Sequence, residues 1–581
     1  MSPARHAAAL VSGALLATLA ACTAKTSGTL VTPQDELVPQ AGALPLKLAP
    51  RPTVAAITPA DLMTRLYIFA DDSMMGRQVG TEYNLKGTAY IEREVRRMGL
   101  VPAGTDGYYQ NIPLFTYFAD SASVVRIAGQ ALAPGTDYLV FPQREQRIAL
   151  EGLPVVLGGS AADSATWISA EAATGKLVVL TVPAATSNPV RVFGGASRFA
   201  RAAALVVVSL DRLAPNVRRF IARRTALASA TAPAAGPPSV FVTPRVAGLL
   251  FGAPIEGVAP GTTGRSMEGA LVLRQAQAPG RNVIAILTGS DPVLRNEYVA
   301  IGAHNDHIGF NTTPVDHDSI RAFNAVARVQ GADSPRPGSL TAEQSTRIRA
   351  MTDSLHALHG TRRDSIYNGA DDDGSGSMSV LEIAQALASS PTKPKRSILF
   401  VWHTGEEAGL WGAEHFTDHP TVPRESIVAQ LNMDMVGRGA PTDVTGELKE
   451  GGLARGAPGY LQLIGSRRLS TELGDLVDAV NRAKGLGLVF DYSQDANGHP
   501  QNIYCRSDHY EYARYGIPIV FFTTGGHADY HQVTDEPQYM DYGRMAQVAT
   551  LVHEVAVTVA NLDHRLLVDK PRPDPRGRCV Q

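Results

Sequence analysis

The second half of the chain repeats one pattern that severely limits how it can fold: short, nearly all-apolar runs alternate with helical stretches, and four of the runs lead into a His or a carboxylate. The runs are Val283–Leu287, Tyr298–Ala303, Ser397–Trp402, Ile427–Leu431 and Ile517–Phe522, with a helical period between them at Val380, Leu381, Ala384 and Leu387. Strands without a polar face must be covered on both sides, and strands alternating with helices imply parallel connections. The expectation is an α/β fold with a mostly parallel, doubly wound mixed sheet flanked by helices. Sheets of this kind place their chemistry beyond the carboxyl ends of their strands.

Those ends carry an unusual set of residues. Tyr298–Ala303 leads into His304, Asn305, Asp306 and His307; Ser397–Trp402 into His403, Thr404, Gly405, Glu406 and Glu407. Ile427–Leu431 leads into Asn432, Met433 and Asp434, and Ile517–Phe522 into the loop that reaches Tyr530 and His531. A Gly-rich turn, Gly369 to Gly376, adds Asp371, Asp372 and Asp373 at the start of a helix. Several carboxylates converging in one cleft repel one another and require compensating positive charge. His nitrogen mixed with carboxylate oxygen, without thiolate, suits zinc, or cobalt or manganese in its place, better than magnesium or calcium.

The ordered motifs GAHNDH, NGADDDGSG, HTGEEAGLWG, NMDMVGR and DYHQVTD resemble those of the co-catalytic zinc aminopeptidase family. That family includes bacterial leucyl aminopeptidases, glutamate carboxypeptidases, glutaminyl cyclases and the transferrin receptor. The resemblance implies the zinc exopeptidase fold and two Zn2+ ions, one on His304 and Asp434, the other on Glu407 and His531, with Asp372 bridging them. It further implies Glu406 as general base and Asp306 as a carboxylate accepting the ring N–H of His304. Tyr530 matches a tyrosine that in some members hydrogen-bonds the developing oxyanion. Asp371 and Asp373 are expected to shape the turn. His307, His403, His509 and His527 have no ligand slot left, so packing or surface roles are expected. Ser507-Asp508-His509 is no serine triad, since adjacent side chains cannot form that relay.

The activity so implied is hydrolysis of peptides from the amino end, the excess negative charge suiting a free α-ammonium group. A carboxypeptidase or a glutaminyl cyclase on the same scaffold is the alternative. Arg438 and Arg506 are candidate clamps for a terminal carboxylate. A binding protein with a dead site is the contrasting class, against which the complete ligand set and Glu406 argue.

Along the chain, 1–22 has the charged start and apolar run of a secretory signal, and its end, Leu19-Ala20-Ala21-Cys22, resembles a lipobox with Cys22 as the lipidated residue. The expectation is an exported bacterial lipoprotein anchored to a membrane. A Pro/Thr/Ala-rich tether follows over 23–59. The peptidase domain is expected over 60–130 and 268–565, with a tail at 566–581. Within 60–130, Asp61 to Leu100 reads as helical. The intervening 131–267 reads as a small β-rich inserted domain, similar in position to the protease-associated domain of many family members. Gly309 to Ile366 interrupts the strand–helix rhythm as an insertion near the mouth of the site. Nothing in the sequence brings Cys505 and Cys579 together, and they are left unpaired. A formal net charge of −2, with no long basic run, gives no reason to expect nucleic acid as a partner.

Overall fold

The computed structural model describes residues 44–184, 198–228 and 236–581. The expected signal segment and Cys22 lie outside the described residues. Among those described, no helix is long and apolar enough to cross a membrane.

The main sheet is built on β1 (Arg281–Leu287), β2 (Tyr298–His304), β3 (Ser397–His403), β4 (Ile427–Met433), β5 (Tyr460–Ile464), β6 (Val489–Asp491) and β7 (Ile519–Thr523). Its order is β1, β3, β2, β4, β7, β5, β6. The pairs β3·β2, β2·β4 and β4·β7 are parallel, whereas β1 runs antiparallel to β3 and β5 to β7. The mixed, centrally parallel sheet is therefore as expected. Alternate side chains of β3 serve opposite faces: Ile398, Phe400 and Trp402 join one core with helices α1 (Pro59–Phe69), α2 (Glu82–Arg97), α3 (Gly376–Ser389) and α4 (Tyr542–Asn561). Leu399 and Val401 join the other, with Phe416, Tyr504 and Tyr512.

The segment Asp61 to Leu100 is not one helix. α1, capped by the Thr58 hydroxyl and opened by Pro59, ends at Phe69, and a turn with left-handed Met75, Gly76 and Arg77 separates it from α2. The turn exists because Arg77 is wholly buried, its guanidinium donating to the carbonyls of Phe69 (3.0 Å), Asn305 (3.2 Å), Asn368 (2.6 Å) and Gly369 (2.9 Å). Gly76 is required there, since a Cβ would lie 2.2 Å from the Gly309 carbonyl oxygen. Just ahead of α1, the described end of the expected tether is held to the core. Thr53 donates to Gln385 (2.8 Å), and Leu44, Leu48 and Ile57 pack against buried side chains.

The apolar runs of the β-rich region form strands Val155–Ser160, Leu177–Thr181, Ala204–Val208 and Ser239–Val242 of a six-stranded sheet. A second sheet centres on Met267–Ala278 and takes in Leu114–Ala119 and Val124–Ile127. These two strands fall within the first expected peptidase segment, yet pair away from the main sheet.

Cys505 and Cys579, left unpaired in the sequence reading, form a disulfide. The final Gln581 is buried, its amide donating to the Gln494 carbonyl (2.5 Å), so the last residues are sewn to the body rather than hanging as a tail. Backbone contacts between 496–502 and 581 complete the seam.

Candidate metal centre

Parallel strands all end on the same edge, so β2, β3, β4 and β7 deliver their following residues to one place. His304, Asp372, Glu407, Asp434 and His531 meet there in two groups of donor atoms: His304, Asp372 and Asp434 in one, His307, Asp372, Glu407 and His531 in the other. Asp372 belongs to both. Its Oδ1 lies 3.1 Å from His304 Nε2, and its Oδ2 lies 2.9 Å from His531 Nε2. Asp434 Oδ1 stands 3.7 Å from His304 Nε2, and Glu407 Oε2 2.8 Å from His531 Nε2.

The turn that carries Asp372 is held from outside. Asp535 accepts the N–H groups of Asp371 and Asp372 at 3.0 and 3.2 Å. Asp371 accepts the Gly437 N–H (2.7 Å) and faces His527; Asp373 accepts from Gly376 (2.8 Å), Met435 and the His304 backbone. Both oxygens of Asp373 and the Oδ1 of Asp371 thus hold backbone N–H groups, while Asp371 Oδ2 faces His527.

The geometry corrects two expectations. Asp306 was expected to orient His304 through its carboxylate, but His304 Nδ1 lies 3.1 Å from the Asp306 backbone carbonyl and 3.7 Å from its carboxylate. A carbonyl oxygen only accepts, so Nδ1 carries the proton and Nε2 offers its lone pair to the cluster. The carboxylate instead accepts the N–H groups of Gly405 (2.7 Å) and Glu406 (3.2 Å). His307, assigned to packing, has its Nδ1 2.6 Å from Glu407 Oε1. The turn after β2 folds back on itself, so residues three apart face the same cleft. His403, His509 and His527 do stay out: His403 bonds the Tyr512 hydroxyl (3.0 Å) and His509 stacks on Phe521 (4.7 Å between ring centres). Arg77 was missed altogether, and only its place between turns far apart in sequence gives it meaning.

Charge at the site is tightly balanced. Burial disfavours the imidazolium of His304, but Asp434 and Glu406 raise it well above the usual range; Glu407 and Asp372 do the same for His531. Burial likewise disfavours the Asp372 carboxylate, and the imidazoles of His304 and His531 beside it hold it well below the usual range. His304 Nε2, His531 Nε2 and Glu407 Oε1 are buried without a hydrogen-bond partner. Nitrogen lone pairs and carboxylate oxygens aimed at shared points, with no donor between them, fit divalent cations.

The insertion braces the loop that bears His531. Arg321 pairs with Asp529 (2.7 Å), the Ala332 N–H donates to the Tyr530 carbonyl (3.0 Å), and His317 and Arg362 meet Glu536 at 2.9 and 3.4 Å. Asp333 holds Arg506 (2.9 Å), whose guanidinium reaches the Tyr530 hydroxyl (3.4 Å).

Residues 282–556 match Peptidase family M28. Leupeptin-inactivating enzyme 1 of Streptomyces exfoliatus is 28% identical over 238 residues, 40% of this chain and 43% of that protein. A probable leucine aminopeptidase of Arthroderma benhamiae is 26% identical over 257 residues, 41% of this chain and 64% of that one. The chain therefore spans about half the length of these curated relatives. Among solved structures, a zinc aminopeptidase from Bacillus subtilis aligns over 87% of this chain and 95% of its own, with a TM-score of 0.47 and 16% identity.

Proposed function

From the match of residues 282–556 to Peptidase family M28, we propose that the protein is a zinc-dependent aminopeptidase that releases residues from the amino end of peptides. The observation that carries the reading is the division of Asp372 between two imidazoles, one carboxylate oxygen to each. In this reading His304 and Asp434 would hold one zinc ion, Glu407 and His531, with His307 beside them, would hold the other, and Asp372 would be shared by both. Cobalt or manganese would satisfy the same donors. The ions, when bound, supply Lewis acidity, lowering the pKa of water at the centre and polarising the scissile carbonyl.

The chain's own residues do the rest. Glu406 borders the cavity but belongs to neither donor group. Burial raises its carboxyl well above the usual range, His304 opposing and Asp434 and Glu407 reinforcing the shift. Such a group is suited to take a proton from attacking water and return it to the leaving amine. Asp306 fixes the backbone under Glu406, and the Tyr530 hydroxyl bonds the oxyanion as it develops. The carboxylates of the cavity wall favour a free α-ammonium group.

A carboxypeptidase requires an uncommitted cation for the terminal carboxylate. Arg438 is buried between Asp529 (2.9 Å) and Asp443 (3.2 Å), and Arg506 is paired with Asp333. These pairings support the aminopeptidase over the carboxypeptidase. The test is a panel of free, N-blocked and amino-terminal glutaminyl peptides with the zinc-loaded protein, alongside elemental analysis. Release from free amino ends with about two zinc equivalents is expected. Release from carboxyl ends, or cyclisation without hydrolysis, would replace the reading.

Export and lipid attachment at Cys22 are part of the same proposal, supported by the Leu19-Ala20-Ala21-Cys22 sequence and by a disulfide suited to an oxidising compartment. Two or more acyl chains there would anchor the protein stably to a membrane. Cys22→Ala should release it from membranes and abolish incorporation of labelled palmitate. Continued labelling of the variant would refute the anchor.

A further inference from the structure

Beside the metal centre lies a cavity whose far side the proposed mechanism does not use. It borders Asp372, Glu406 and Asp434, and its far wall includes Thr445, Gln462, Gln501 and Thr523. The side chain of an N-terminal residue is one atom removed from the scissile carbonyl carbon. With that carbonyl at Glu406, the side chain must enter this cavity.

Two glutamines there have fixed and opposite orientations. The Gln462 Nε2 donates to the Thr445 carbonyl (3.0 Å) and to the Tyr460 hydroxyl (2.9 Å). That hydroxyl spends its proton on Asp491 (2.6 Å), so it can only accept from Gln462. The amide is thereby locked with Oε1 as its remaining acceptor. Gln501 is locked the other way, because its Oε1 accepts the Glu447 N–H (3.1 Å), leaving Nε2 as a donor whose one contact, to Gln330, is long at 3.4 Å. Gly525 makes room for this arrangement: at its φ of +78° a Cβ would stand 2.5 Å from Gln462 Nε2.

The cavity wall thus presents an amide acceptor at Gln462 and an amide donor at Gln501, beside the amide of Gln330. Among the described residues, apart from Glu406 and the metal-cluster carboxylates, its charged groups are Arg506 and Asp333, which pair at 2.9 Å. No net charge awaits a cationic or anionic side chain. A purely aliphatic one would leave the two amides without partners in a confined site.

We propose that this cavity selects an N-terminal residue with an uncharged, hydrogen-bonding side chain, Asn, Gln, Ser or Thr, with Gln462 and Gln501 as the specificity-determining residues. The inference rests on the aminopeptidase reading and sets this chain apart from relatives named for leucine.

The experiment compares kcat/KM of the zinc-loaded protein on the anilides of Gln, Asn, Ser, Leu, Lys and Glu. The polar, uncharged set should exceed Leu by about tenfold or more, the effect of one or two unmatched buried hydrogen-bonding groups. Gln462→Leu should move the Leu-to-Gln ratio by a similar factor towards Leu, a readout independent of how much protein is active. Should that variant fail to fold, the near-isosteric Gln462→Glu should shift preference towards Lys. A wild-type preference for Leu, or an unchanged ratio in a folded Gln462 variant, would overturn the specificity while leaving the aminopeptidase intact. Failure to hydrolyse any free aminoacyl anilide would overturn both.

Discussion

Asp306 holds Glu406 by its backbone: the aspartate Oδ1 accepts the Glu406 N–H at 3.2 Å and the preceding Gly405 N–H at 2.7 Å. The turn after β2 therefore aims the turn after β3, although a hundred residues separate them. Since His304 leans on the Asp306 carbonyl rather than its carboxylate, the side chain and the main chain of one residue have separate tasks.

Asp306→Ala should accordingly lower turnover by about 10–100-fold while the metal content stays near normal. Asp306→Asn, which keeps an acceptor oxygen, should lose less. Elemental analysis beside kcat decides. Loss of metal from Asp306→Ala would mean that the carboxylate orients His304 after all.

Glu406 and Glu407 are neighbours of the same type and are expected to fail differently. Glu406→Gln retains shape but cannot take a proton, so turnover should fall about a hundredfold or more with metals bound. Glu407→Gln replaces an anionic donor 2.8 Å from His531 Nε2 by a neutral amide, and should lose metal first. Equal metal loss in the two variants would contradict the division of roles.

Asp529 is buried between Arg321 and Arg438. Burial alone would raise its pKa, but the two guanidinium groups hold it well below the usual range. A depressed folded pKa means stability that is present above the unfolded value, about 3.9, and is lost as pH falls towards the folded one. Asp529→Asn should cost about 3–5 kcal/mol at neutral pH, because buried Arg321 loses its carboxylate and buried Arg438 one of its two. Its stability should then fall less steeply than that of the wild type below about pH 4. Parallel acid-side slopes in urea denaturation of the two proteins would refute the linkage.

The disulfide closes a loop of 74 residues between Cys505 and Cys579. Constraint of the unfolded chain by a loop of that length stabilises by about 4 kcal/mol. Cys579→Ser should lower the denaturation midpoint and raise exchange at the Gly498 N–H, which bonds the Gln581 carbonyl at 2.7 Å. Proteolysis confined to the final residues, without a change in global stability, would show that the bond tethers the terminus only.

Local chemistry made much of the protein legible in advance. An apolar run such as Ser397–Trp402 can be satisfied only when buried on both faces, and that requirement needs no knowledge of its neighbours. Four motifs at strand ends and a Gly-rich turn, by their resemblance to a known family, named His304, Asp372, Glu407, Asp434 and His531, and parallel strands finish on one edge. What the linear chain left open depended on contacts between distant segments. His307 entered the cluster because of how the turn after β2 folds back against Glu407. Arg77 acquired its role by joining carbonyls near positions 305 and 369, and Cys505 met Cys579 because the chain end returns across the body. The locked amides of Gln462 and Gln501 likewise depend on Tyr460, Thr445 and Glu447. A residue type fixes which bonds a side chain can make, but only the folded chain fixes which partners are within 3 Å, and orientation and charge follow from the partners.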